Sequence, residues 1–278
     1  MSAAEQLDLF SQSAPEKPHS PSVSSRPLIA SDTLDDEHLV AALHNAGIRD
    51  SIGLAAEVGR RRLTAAIPAL EALCRRFAGF GADRIVPEQA AALDGLAAIG
   101  GFDATQALVR VIAKGVVQGP CLQRAVSAAA GLRARLPAAL VMALLQHGDP
   151  RIRADACRCV RASPEAAALL HDLLDDLHPY VQMAAACALG RSGRREVRPF
   201  LLRFLREQPS TELIDAIAPV ADEECIILLG RVADARPDLS QAILDALDGI
   251  DHPRAEKIAA YIGESCLSHR PCHSNGRP

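Results

Sequence analysis

The 278-residue chain has no tryptophan, two tyrosines and six phenylalanines, so aromatic residues make up only 3% of it. A core without large rings has to be filled with Ala, Leu, Ile and Val, which suits closely approaching helices better than a sandwich of sheets. Runs that alternate apolar and polar residues are missing, so no strand is expected. No uncharged apolar stretch reaches about 18 residues, so no transmembrane helix is expected. The start, with Glu5 and Asp8 and no basic segment ahead of an apolar one, lacks the pattern of a secretory signal. A Gly-rich phosphate loop, a Gly-x-Ser-x-Gly elbow and a His-Glu-x-x-His helix are all absent. Together these absences lead us to expect an all-α, cytoplasmic protein that is not an enzyme and holds no cofactor or metal.

Half of the residues that are present are apolar (49%), 23% are charged, and the net charge is −4. This is enough apolar material for a large core. Its organisation is repetitive. Pro120, Pro150, Pro179, Pro209 and Pro237 stand 30, 29, 30 and 28 residues apart. Aligning Pro150 with Pro179 puts Ile152 over Val181, Ala156 over Ala185 and Val160 over Leu189. A proline ahead of small and aliphatic residues at helical spacing reads as the first turn of a buried helix, where its missing N–H costs nothing. A second apolar helix falls between successive members, at 137–145, 164–174, 197–205 and 224–232. Earlier helices are expected at 35–45, capped by Ser31 and Asp32, and at 48–62, 65–77, 87–99 and 104–117. Repetition at this interval marks a solenoid, in which each helix pair hides its apolar face against its neighbours.

The pattern of proline, aliphatic residue and small residues ending in Ala188-Leu189-Gly190 resembles the HEAT-repeat superfamily, most closely its short repeats of the phycobilin-lyase type. The resemblance covers about residues 32–262. It implies a right-handed α-solenoid of helical hairpins whose second helices line a concave face. Gln123, Arg153 and Gln182 then become candidate contacts to a partner on that face. It does not imply a reaction, because most such arrays are scaffolds.

Ahead of the array, positions 11–31 hold seven serines and four prolines. Such a stretch buries too little to offset its ordering entropy and is expected to be a disordered tether. It would reach roughly 25 Å as a coil and about 65 Å if stretched. In front of it stands Gln6-Leu7-Asp8-Leu9-Phe10. This pentapeptide resembles, at every position, the motif by which bacterial replication and repair proteins dock on the DNA sliding clamp. The resemblance implies that Gln6 enters a small polar pocket and Leu9 and Phe10 an apolar one, with Leu7 and Asp8 spacing them. The alternative is an amphipathic turn at the start of an unstructured tail.

Arg191, Arg194, Arg195 and Arg198 surround glycines at a helix start and are candidate phosphate contacts. The competing reading pairs them with Asp172, Asp175 and Asp176, and the acidic net charge makes direct nucleic-acid binding an unfavoured expectation. Arg60, Arg61 and Arg62 read as helix-end charge. Residues 263–278 read as a disordered tail, and Cys266, His269, Cys272 and His273 within it match no standard zinc spacing. The other cysteines fall in apolar helices and read as small buried hydrophobes. HEAT-repeat hydroxylases hold iron with His-Glu pairs, and no such pair occurs here. HEAT-like DNA glycosylases use Trp and Tyr on a basic face, which this composition does not supply. The readings left open are a clamp-docking scaffold, a general interaction or lyase-like module unrelated to DNA, and, least favoured, a glycosylase.

Overall fold

In the computed structural model the described residues are 31–160 and 163–268, and among them the regular structure is entirely helical. Seven hairpins follow one another: α1 (Asp36–His44) with α2 (Ile48–Arg60), α3 (Ile67–Arg76) with α4 (Pro87–Ile99), and α5 (Gly101–Ala113) with α6 (Gly119–Gly131). Next come α7 (Ala138–Leu145) with α8 (Pro150–Arg158), α9 (Pro164–Asp172) with α10 (Pro179–Arg191), α11 (Arg198–Glu207) with α12 (Thr211–Ile217), and α13 (Glu223–Ala235) with α14 (Ser240–Asp248). A last helix, α15 (Pro253–Ser268), covers the end. Even-numbered helices pack in succession from α2 to α14 as one layer. Odd-numbered helices form the other, and the two layers share one continuous buried core from Leu39 to Ile262.

The start of each helix follows from local chemistry. Of the phased prolines, Pro150 and Pro179 occupy the first position of their helices and Pro120 the second position of α6, while Pro87, Pro164 and Pro253 open α4, α9 and α15 in the same way. At Pro209 the register slips. Ser210 takes the cap instead, its hydroxyl accepting the Leu213 N–H at 3.4 Å, and the proline is left outside α12. Pro237 opens a short 3-10 turn, and α14 begins only at Ser240. The cap of α1 is Asp35, which accepts the His38 N–H at 2.9 Å, rather than Ser31 or Asp32. The expected 104–117 helix is displaced to Gly101–Ala113 because Gly100 and Gly115, at φ of 65° and 61°, break the chain on either side. The last helix runs past Ile262 to Ser268. No proline interrupts that stretch, and a lone Gly263 costs only about 1 kcal/mol relative to Ala.

Helix α10 is the centre of the stack. Every residue from Ala184 to Gly190 is buried, so it is apolar on all sides, with α8 and α12 flanking it and α9 and α11 behind. Gly190 lies against α12 so closely that an added Cβ would stand 2.5 Å from the carbonyl oxygen of Ala216 and 2.8 Å from Leu201. Polar side chains tie hairpins together where the apolar contacts end. Buried Gln89 of α4 points its Nε2 at the carbonyl oxygens of Cys74 (3.0 Å), Phe77 (3.1 Å) and Val116 (3.3 Å), bracing the ends of α3 and α5. Glu71 of α3 receives Arg110 of α5 at 2.8 Å. Within the arginine triplet, Arg60 and Arg61 bond Glu57 and hold its carboxyl down at about 2, while Arg61 also reaches Asp36 and the Leu34 carbonyl.

Two outcomes follow. Gly190→Ala should cost about 1–3 kcal/mol through overpacking, and Leu189→Ala about 2–5 kcal/mol through its cavity. Exposed Arg194→Ala should stay within about 0.5 kcal/mol. Urea melts of the three proteins check this, and a Gly190→Ala variant as stable as the native chain would contradict the close approach. Separately, burial pushes the thiols of Cys74, Cys157, Cys159 and Cys187 up to about 12. These four should resist iodoacetamide at pH 8 in the folded protein and react after denaturation, as peptide mapping would show.

Candidate functional site: an arginine-lined cleft on the even-helix layer

Several side chains on the even layer reach past a neighbouring helix. Arg158 of α8 bonds Glu212 of α12 through Nε (2.9 Å) and Nη2 (3.0 Å), bypassing α10. Arg133, just beyond α6, approaches Asp215 of α12 at 3.5 Å, three helices further along the layer. Such contacts lie on one side of the even layer, here called its inner face. Between them is a cleft of about 650 Å³, lined by the ends of α6, α8 and α10 and the start of α12.

Its chemistry is mainly guanidinium. Arg133, Arg135, Arg158 and Arg191 line it, opposed by Glu212 and Asp215, with Ser192 and Thr211 as neutral hydroxyls. Arg158 is the anchored member. Besides the forked bond to Glu212, its Nη1 meets Asp155 Oδ1 at 2.7 Å, and Glu212 above all raises its already high pKa. Arg191 stands 3.6 Å from the same Glu212. Arg133 and Arg135 are exposed, and Arg135 makes no hydrogen bond or ion pair with any described residue. Arg133 has φ of 53°, in the left-handed region, where α6 ends by a bond from the Ala134 N–H to the Ala129 carbonyl oxygen at 2.8 Å. The end of α10 repeats this geometry with Gly193, a residue without that strain. An arginine there costs about 1–2 kcal/mol of backbone strain.

The sequence candidates separate in space. Of the four arginines at 191–198, only Arg191 lines the cleft. Arg194 and Arg195 stand on the turn into α11 with no side-chain partner among the described residues, and Arg198 pairs with Asp222. The expected pairing with Asp172, Asp175 and Asp176 does not form. Asp176 is taken by Arg153 at 2.8 Å, because the start of α10 brings it against α8. The three candidate partner contacts are engaged within the stack. Arg153, only 15% exposed, bonds Asp176 and the carbonyls of His147 and Gly148. Gln182 donates to the Asp176 carbonyl at 2.7 Å and accepts from Arg203 at 3.1 Å. Gln123 stands near enough to Asp155 to favour its charged form. Gln6–Phe10 lie outside the described residues, as do His269, Cys272 and His273. No three His, Cys, Asp or Glu side chains among the described residues converge as a metal site would require.

Arg133, Arg135, Arg158 and Glu212 were not singled out from the sequence. A signal was present: arginines recur near the ends of α2, α6, α8 and α10, at Arg60–Arg62, Arg133, Arg158 and Arg191. Of these, Arg60–Arg62 read as helix-end charge, and only Arg191, with its glycine neighbours, stood out as a candidate contact.

Behind the cleft, burial raises the pKa of Asp155, an effect that Arg158, Ser127 and Gln123 only partly offset. A carboxyl raised in the folded state is penalised while charged. The penalty is present above the raised value and is relieved as pH falls through it towards the ordinary value near 3.9. Asp155→Asn should therefore raise the melting temperature at pH 7–8, and the gain should vanish in acid as the native carboxyl takes up its proton. Melts across pH 3–8 test this, and a variant less stable than native at pH 8 would refute it.

No curated protein matches the chain. Residues 137–221, from the start of α7 to the turn after α12, match the family of HEAT repeats, helical modules that generally mediate protein–protein interaction, and this stretch supplies α8, α10 and α12 of the cleft.

Proposed function

We propose that the protein is a non-enzymatic adaptor. Its Gln6–Phe10 segment docks on the bacterial DNA sliding clamp, and its array receives a second protein on the inner face during replication or repair. The observation that carries this reading is the complete pentapeptide, set 21 residues of Ser/Pro-rich chain ahead of a helical-repeat array of the interaction type. Burying Leu9 and Phe10 in an apolar pocket would contribute roughly 1.5–3 kcal/mol each. The ordering cost of so Ser/Pro-rich a sequence would keep the contact exchangeable. Tethering through about 20 such residues would hold the array near the clamp at an effective concentration on the order of millimolar. The cytoplasmic location follows from the same reading, since the clamp works there.

Purified sliding clamp on beads provides the test. The native full chain should be retained, and the Leu9→Ala/Phe10→Ala variant should bind about 100-fold more weakly or worse. Equal retention of the two proteins would remove the clamp from the reading and leave an interaction module with no link to DNA.

A further inference from the structure

We infer that the inner-face cleft is a receptor for an acidic peptide segment of a partner protein. This deepens the proposed adaptor role, because it assigns the chemistry of the second partner to a defined surface. Four arginines against Glu212 and Asp215 leave two positive charges in excess. One remains in excess if charged Asp155, behind Arg158, is counted as well. This excess stands on a protein whose net charge is −4, so the local field and the global charge point in opposite directions. Such an excess attracts an anionic group to this place rather than to the surface at large.

Three details fix the class of ligand. First, the cleft already binds a carboxylate. Glu212 is gripped by the Nε and Nη2 of Arg158 in the forked geometry that suits carboxylates. Second, the two rim arginines are available at little cost. Arg135 has no partner among the described residues, and Arg133 holds only a 3.5 Å contact with Asp215, a pair that is 88% and 49% exposed. Exposed pairs of this kind contribute about 0–1 kcal/mol, so an incoming carboxylate can displace Asp215. The chain nonetheless keeps Arg133 in a backbone conformation where the end of α10 uses glycine. The end of α2 makes the same turn with Arg62, away from this cleft, so it is the place of Arg133 at the rim that bears on binding. Third, Glu212 and Asp215 interrupt the cations. A continuous phosphate backbone would be repelled by them, whereas a peptide offers N–H donors between its carboxylates that these two oxygens, Ser192 and Thr211 can accept. A volume of about 650 Å³ holds a few side chains.

Fluorescence anisotropy with a fluorescein-labelled hexaglutamate peptide and the full chain at 50 mM salt tests the assignment. The native protein should bind it and not a hexaglutamine control. Arg135→Glu should weaken binding at least tenfold. Arg133→Gly should weaken it severalfold without lowering the melting temperature, since the substitution relieves the left-handed strain. Arg194→Glu/Arg195→Glu reverses two charges outside the cleft and should leave binding within twofold. The assignment is overturned if Arg135→Glu binds as tightly as native, or if the 194/195 reversal weakens binding as much as the 135 reversal. Tighter binding of a twenty-nucleotide thymidine strand than of hexaglutamate, lost in Arg135→Glu, would make the cleft a nucleic-acid site instead. The Leu9→Ala/Phe10→Ala variant should keep full affinity for hexaglutamate, and Arg135→Glu should keep full retention on the clamp, so failure of either reading leaves the other legible.

Discussion

The approach of α10 to its neighbours is the constraint on which the array depends. Seven consecutive buried residues, none larger than leucine, let α8 and α12 close on both flanks, and at Gly190 the gap to α12 leaves no room for a methyl group. The low aromatic content is part of the same solution, because large rings between these helices would hold them apart.

The packing of the even layer determines which polar groups meet. On the inner face, side chains from helices two or more places apart in the layer come within reach, so Arg158 finds Glu212 and Arg133 approaches Asp215. Elsewhere most ties are between neighbours, such as Arg153 with Asp176, Glu71 with Arg110 and Arg198 with Asp222. Partly exposed pairs of this sort contribute modestly to stability. Their larger effect is to use up charge. Much of the chain's arginine is neutralised by a nearby acid, and the cleft is a place where cations outnumber their partners.

The backbone at Arg133 connects this electrostatic surplus to the fold. Helices α6 and α10 end in the same left-handed turn, once with arginine and once with glycine, and α2 repeats it with Arg62. Glycine is the lower-energy choice at each. Keeping arginine at the end of α6 gives up stability to hold a cation at the cleft's edge. Local departures from the most stable residue are where function is expected to show, since they have no structural benefit of their own.

Much of the architecture was legible before any coordinates. The phased prolines located α6, α8 and α10, and the small apolar residues behind them identified the buried layer, because helix starts and helix faces are set by residues adjacent in sequence. Boundaries that depended on competing local signals were less legible, as at Ser210, which displaced Pro209 from the cap. The site was scarcely legible at all. The arginines of 191–198 looked like a cluster and were dispersed, while Arg133, Arg158 and Glu212, up to 79 positions apart, were brought together. Thus the chain's own order determined helices, hairpins and the repeat, which arise from contacts a few residues apart. Only the packing of the stack, a sum of many close helix contacts, decided which charges would share a cleft.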